Sequence, residues 1–457
     1  MRNHFLREEI MEQKMWQDRE FVRKLRELMI PIALQTFMLA AVSAGDAAML
    51  GFIDEKAMAA VSLAGNIQFV ETLFLNAIVC GVTILSAQYW GKGDRSTVSR
   101  LFGLGIRYAL AVSSVFCLAA WLMPQKLMGI FTNQEALISL GSTYVRIAAL
   151  SYLITGLTQC YLCIMKATGQ TAQSASISSF ALVLDTVLNA LFIFGFHMGA
   201  AGAALTTTIS RIVELGIVLA FSRKMKVLPG WGNVSRAIHK DFLKCSIPHM
   251  INGMVWGFGT ASYSVIIGHL GVAITAANSV SNIVRQMAIS LCHGLAQGGE
   301  IILANVLGSG DLKKGKLYGS RLGKLSILCG VICAVLALAF GTLLSNVMTL
   351  SPDARANLNV MIWFCAFYML AQCINLVVIC GVFAAGGDTA FDAYSVFVTM
   401  WLIIIPLAVA AGFWWKWDPI VVYIILSMDE AIKIPWVYHH YKKYRWLKNM
   451  TREETTE

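Results

Sequence analysis

Three carboxylates stand where a carboxylate is expensive. Asp46, Glu71 and Asp185 each fall inside a long apolar stretch of this 457-residue chain, and a charge in hydrocarbon costs at least ~2.5 kcal/mol. Such groups face a partner, water or an ion path, so each is a candidate ion-coupling residue. Several carboxylates in one low-dielectric pocket cannot all ionise cheaply, and a proton held there competes with a cation. Asn189, one helical turn beyond Asp185, is placed to hydrogen-bond it, and Thr206, with Thr207 and Thr208, is a candidate lining residue of the same pocket. Glu71 also has a structural reading, as the partner of Arg146 or Arg285. Asp46 lies fifteen residues beyond Pro31 in PIALQTFMLAAVSAGDAAMLGF. A proline inside a helix frees a carbonyl and bends the axis, which makes Pro31 a hinge candidate on the helix that carries an acid.

Farther along, Glu300 follows Gln297, Gly298 and Gly299 and is a candidate cavity residue, as are Tyr263, Gln372 and Asn375. Arg211 with Glu214, and Asp429 and Glu430 with Lys433, have the spacing of pairs within or between helices. Asp392, near a helix start, reads as interfacial.

The elements that must position these groups are membrane helices. Hydrophobic residues make up 57% of the chain and charged residues 14%, against ~25% charged in soluble domains. Apolar runs of spanning length number twelve, near 28–52, 60–89, 101–123, 138–165, 172–196, 199–222, 243–269, 275–307, 321–348, 358–384, 392–414 and 419–440. The net charge of +10 is distributed for a bilayer rather than for nucleic acid: 27 Lys and Arg fall in the arm, alternate loops and tail, while the opposite loops hold only Lys56, Lys126, Arg355 and Lys416. That bias puts both termini in the cytoplasm. All eleven cysteines lie in apolar segments, so no disulfide framework is expected, and the CxxC of Cys160 and Cys163 reads as packing rather than as a redox or metal site.

An internal repeat organises the map. QYWGKGD (Gln88 to Asp94) matches NVLGSGD (Asn305 to Asp311) at an offset of 217, which also relates Pro31 to Pro248, and KATGQT (Lys166 to Thr171) matches AAGGDT (Ala384 to Thr389) at 218. Six spans per half make the repeats parallel, related by an axis along the membrane normal. The expected organisation is an arm at 1–27, an N-lobe at 28–222, a basic linker at 223–242, a C-lobe at 243–440 and a tail at 441–457. The acids break the symmetry: the repeat places Tyr263 opposite Asp46, Ala288 opposite Glu71 and Ile403 opposite Asp185. GKGD resembles no GxxxxGK[ST] loop, and no ATPase-sized soluble domain is present, so transport energy would come from an ion gradient.

The repeated turns, WGKGD after the second span and ATGQT and AGGDT after the fourth and tenth, resemble those of the multidrug and toxic compound extrusion (MATE) family, and the resemblance covers essentially the whole chain. It implies an all-α membrane protein of twelve helices in two six-helix lobes. Its implied activity is that of an antiporter, exporting organic cations and amphiphiles in exchange for H+ or Na+ by alternating access, with no cofactor. By position Asp46 resembles the N-lobe acid that the DinF-type branch ties to bending of the first helix, and Asp185 its partner. The acids frequent in the family's seventh and tenth helices are missing, with Asn252, Tyr263, Gln372 and Asn375 in those helices instead. This departure points away from a C-lobe sodium site.

The expected protein is thus a monomeric, multi-pass transporter of the prokaryotic plasma membrane rather than an enzyme. Rival readings are a lipid-linked precursor flippase of the same superfamily, a major-facilitator carrier, a membrane-embedded enzyme and a receptor-like binding protein. An enzyme would need a catalytic or metal cluster, and His249, His269 and His293 are scattered singly, with no HExxH.

Overall fold

The computed structural model describes residues 18–51, 55–348 and 351–452, with the side chains of 43–51, 55–57 and 347 outside that description. Among the described residues the regular structure is helical: α1 (Arg19–Gly51), α2 (Glu55–Lys92), α3 (Arg95–Leu122), a short helix (Pro124–Gly129), α4 (Glu135–Ala167), α5 (Thr171–Gly195), α6 (Gly199–Ser222), α7 (Arg236–His269), α8 (Val272–Gly308), α9 (Leu312–Val347), α10 (Pro352–Phe383), α11 (Ala390–Trp414), α12 (Pro419–Leu426) and α13 (Asp429–Lys442). Ten of them, α1 to α6 and α8 to α11, are long and apolar enough to cross a membrane.

The other two predicted spans differ for local reasons. α7 is diluted by Asn252, Gly253, Gly257 and Gly259, small and polar residues that let helices approach closely. Leu73 and Phe69 of α2 fit against Gly253 and Gly257, and Met400 of α11 against Gly259. The twelfth span is broken between Leu426 and Asp429, where the Ser427 amide bonds the carbonyls of Tyr423 and Ile424. α1 starts nine residues before the run at 28, carried by the i,i+4 pairs Glu20–Lys24 at 2.7 Å and Arg23–Glu27 at 3.8 Å. Asp18 fastens that start to Arg321 of α9 at 2.6 Å.

The repeat is visible in the backbone. Gly93 and Gly310 end their helices at φ +87° and +85°, a conformation costly for any other residue. Asp94 and Asp311 then cap the next helices, accepting from the Thr97 amide at 3.0 Å and the Lys314 amide at 2.9 Å. The later turns correspond too, with Gly169 at +82° and Gly387 at +74°. One core is centred on Val82, Phe102 and Ile164 of the first half and takes in Phe242 of α7, and another is centred on Leu295, Met369 and Phe383 of the second half and takes in Phe21 and Leu28 of α1. The linker folds back on α3, where the Gly230 amide bonds the Ser99 carbonyl at 2.8 Å and Arg107 reaches Asn233 and Gly232.

Candidate functional site

In the first half α5 packs between α1 and α6. Asp185 accepts a long 3.5 Å bond from the Asn189 amide one turn away. The Thr206 hydroxyl on α6 reaches the other end of the same amide, Asn189 Oδ1, and also lies 2.9 Å from the Ala203 carbonyl. Its single hydrogen serves one of them at a time. Asn189 and Thr206 are buried, so Thr206, Asn189 and Asp185 form one relay of polar groups across two helices. Thr207 and Thr208 bond the carbonyls of Ala203 and Ala204, the usual habit of helical threonines. Asp46 lies on α1, the helix against α5, and its side chain is outside the described residues. Pro31 stands inside α1, which runs on as helix past it, as α7 does past Pro248.

Glu71 is 1% exposed and accepts from the Ser113 hydroxyl of α3 at 2.9 Å. The alternative partners do not take that place. Arg285 bonds Asn282 at 3.0 Å and stacks over Tyr368 in the second half.

The second half holds a charged group that spacing alone did not reveal. Glu430 on α13 pairs with Lys433 at 2.8 Å, as the spacing predicts, but it is also gripped by Asn375 of α10, which donates to both its carbonyl and its carboxylate at 2.7 Å. Asp392, expected at the interface, instead accepts from Asn252 of α7 at 2.7 Å and feels the charges of Lys433 and Glu430. Asp429 is buried beside them, and Arg285 and Tyr263 are within its electrostatic reach. Three carboxylates therefore face two cations, and the oxygens Asn252 Oδ1, Tyr263 Oη and Asn375 Oδ1 of residues that touch or face them are buried with no hydrogen-bond donor. The signal was present in the sequence, since Asp429, Glu430 and Lys433 lie in an apolar run like that of Asp46. Tyr263 and Asn375 thus belong to this cluster, and Gln372 stands on α10 one turn before Asn375. Glu300 is half-buried on α8 and feels Lys166 at the end of α4.

The side of the repeated turns is closed. Gly91 of α2 lies against the backbone of Asn305 on α8, and Gly308 of α8 against the backbone of Gln88 on α2. Toward the middle of the pair, Gly294 and Gly298 of α8 receive Met29 and Ala33 of α1. Beside the turns, the Asp94 carboxyl is pushed up by burial, but bonds from the Thr97 hydroxyl and amide and from the Ser96 hydroxyl outweigh this and hold it below its usual range. Cys292, Cys329 and Cys373 bring their sulfurs within 4.8 Å of one another in the second core. The Cys292 thiol is 3.6 Å from the Cys373 carbonyl, a packing contact.

Two parallel repeats crossing at paired glycines, with acids buried in each half, can be compared with known proteins. The family model described as MatE matches twice, over residues 31–191 and 248–410. The chain belongs to the MatE family. Both matches begin at the helix prolines Pro31 and Pro248, 217 positions apart. A MatE protein is a transporter and not an enzyme. Among relatives, an uncharacterized transporter YisQ of Bacillus subtilis is 21% identical over 92% of this chain and 93% of its own length. A probable multidrug resistance protein NorM of Thermotoga maritima is 23% identical over 85% of each. The fold is also that of an outward-facing multidrug resistance MATE family transporter of the MOP superfamily, with TM-score 0.84 at 14% identity over 92% of this chain and 96% of that one. The Vibrio cholerae MATE transporter VcmN in its bent form gives TM-score 0.82 at 17% identity over 93% and 98%.

Proposed function

We propose that this MatE protein is a secondary active multidrug exporter. It antiports cationic or amphiphilic organic compounds against H+, or against Na+, as a monomer in the plasma membrane with both termini in the cytoplasm. The lobes at 28–222 and 243–440 rock against each other. The observation that carries the reading is the crossing of Gly91 and Gly308, which closes the side of the basic loops while leaving Asp185, Asn189 and Thr206 in the other part of the bundle. A substrate enters when that crossing opens, and it leaves on the far side when the crossing is closed.

Ion coupling is assigned to Asp46, Asp185, Asn189 and Glu71, with Pro31 as the hinge. A proton arriving at Asp185 gives a pure acceptor one donor and removes its charge, which weakens the bond it accepts from Asn189. The Thr206 hydroxyl, shared between Asn189 and Ala203, has a second acceptor to turn to. Drug and ion must favour different conformations for anything to be moved. The relay carries the protonation state of Asp185 from α5 to α6.

A second reading is favoured by the C-lobe cluster, where three carboxylates meet two cations. One uncompensated carboxylate in a low-dielectric setting recruits a proton or a metal cation, and the undonated oxygens around it are hard ligands. Ethidium efflux from proteoliposomes under an imposed pH or Na+ gradient tests the proposal. Export driven by neither gradient would overturn it.

A further inference from the structure

The last described residues lie across the closed seam. Trp446 is fully buried, its ring against Gly319 of α9 and its carbonyl against Gly386 of the turn after α10. From there the chain runs to α2, in the other half. The Met450 amide donates to Gln88 Oε1 at 2.7 Å and the Arg452 amide to the Tyr89 hydroxyl at 3.1 Å, while Lys92 donates to the Arg452 carbonyl at 2.9 Å. Arg452 closes the loop with a two-pronged bond to Asp241 of α7, at 2.7 and 3.0 Å. That pairing raises the pKa of its guanidinium further.

Gln88 is the pivot. Its oxygen accepts from Met450, its nitrogen donates to the Ala385 carbonyl at 2.7 Å, and its own backbone is the surface against which Gly308 packs. One residue of the first half thus holds the tail, the α10 turn and the crossing together. The halves cannot part on this side unless the tail lets go of Gln88, Tyr89 and Lys92.

We propose that Trp446 to Arg452 is a latch that holds the transporter closed on the side of its termini, with Gln88 and Arg452 as the positioning residues that set how often it opens. This rests on the alternating-access reading. The latch makes release of the tail a step in each opening, and it slows entry of substrate while leaving the ion relay untouched.

Cys245 reports the opening directly. It is fully buried, in an apolar group with Ile84, Ala384 and Met450. The native-cysteine protein in detergent is exposed to a water-soluble maleimide, and modification of Cys245 is followed by peptide mass spectrometry with buried Cys160 as an internal control. Arg452→Ala and Gln88→Ala are expected to speed Cys245 labelling by about tenfold or more, the effect of losing a charge-assisted or buried hydrogen bond. Cys160 should keep its rate. The exchange Asp241→Arg with Arg452→Asp should restore slow labelling. An unchanged Cys245 rate in both single variants and in a chain ending at Lys448 would overturn the latch, as would equal acceleration at Cys160, which reports general loosening. No substrate enters the assay, so it decides the latch even if the protein moves no ethidium.

Discussion

Gly91 on α2 and Asn305 on α8 meet backbone to backbone, with no space for even a methyl group between them. The repeat turns this contact into a reciprocal one, because Gly308, the counterpart of Gly91, meets Gln88, the counterpart of Asn305. Two equivalent turns therefore seal one face of the molecule by crossing at their glycines. Close helix approach through small residues is how membrane helices gain contact area when burial itself gains nothing.

Gly91→Ala and Gly308→Ala should each weaken the crossing, at the cost of about 1–3 kcal/mol typical of overpacking. Thermal unfolding in detergent should show lower midpoints for both. Gly216→Ala in α6, where an added methyl meets nothing within 4 Å, should change the midpoint little or raise it.

Thr206→Val removes the hydroxyl while keeping the shape. Asn189 Oδ1 then loses its donor from α6, and a hydrogen bond of this kind contributes about 0.5–1.5 kcal/mol. Ion-driven efflux should fall more than stability does. Thr207→Val, whose hydroxyl bonds its own helix, should retain efflux, and equal loss in both would argue against the relay.

Lys433 is 4% exposed at its side chain and shares a carboxylate-rich pocket with Asp392, Asp429 and Glu430. Lys433→Met leaves the acids without their nearest cation, and removing one member of a buried pair costs about 3–5 kcal/mol. Adding Glu430→Gln should recover part of that loss. A thermal double-mutant cycle showing no coupling between the two would count against the cluster as a unit.

Asp94 gives the pH dependence a definite sign. Folding lowers its pKa, so the α3 cap contributes fully above the unfolded value of ~3.9 and is lost as the pH falls through the lower folded value. The stability gap between wild type and Asp94→Asn should be constant from neutral pH to about pH 5 and shrink below pH 4. A gap that widens on acidification would contradict the assignment.

The fold was legible because its landmarks are local. Gly93, Asp94, Gly310 and Asp311 define turns and caps by residue type alone, and both pairs have the conformation that the types demand. Asp185 and Asn189 were legible for a related reason, since Asn189 is one turn from Asp185, whereas the bond from Thr206 to Asn189 joins two helices. What stayed hidden is what depends on which helices meet. The second-half cluster draws Asn252, Arg285, Asn375, Asp392 and Glu430 from five separate helices, and no spacing encodes that. The break at Ser427, which turns Asp429 and Glu430 into the start of a new helix, looked like continuous apolar chain. The tail gave no signal either, because Arg452 gains its meaning only beside Asp241.

The central claim is that an acid of the first half couples ion flow to export. Ethidium efflux driven by an imposed pH gradient should therefore be lost in Asp46→Asn and in Asp185→Asn, each falling to the rate seen without a gradient, while Asp392→Asn keeps gradient-dependent export. Undiminished efflux in the first two variants, with loss in Asp392→Asn, would contradict the account and move coupling to the second half.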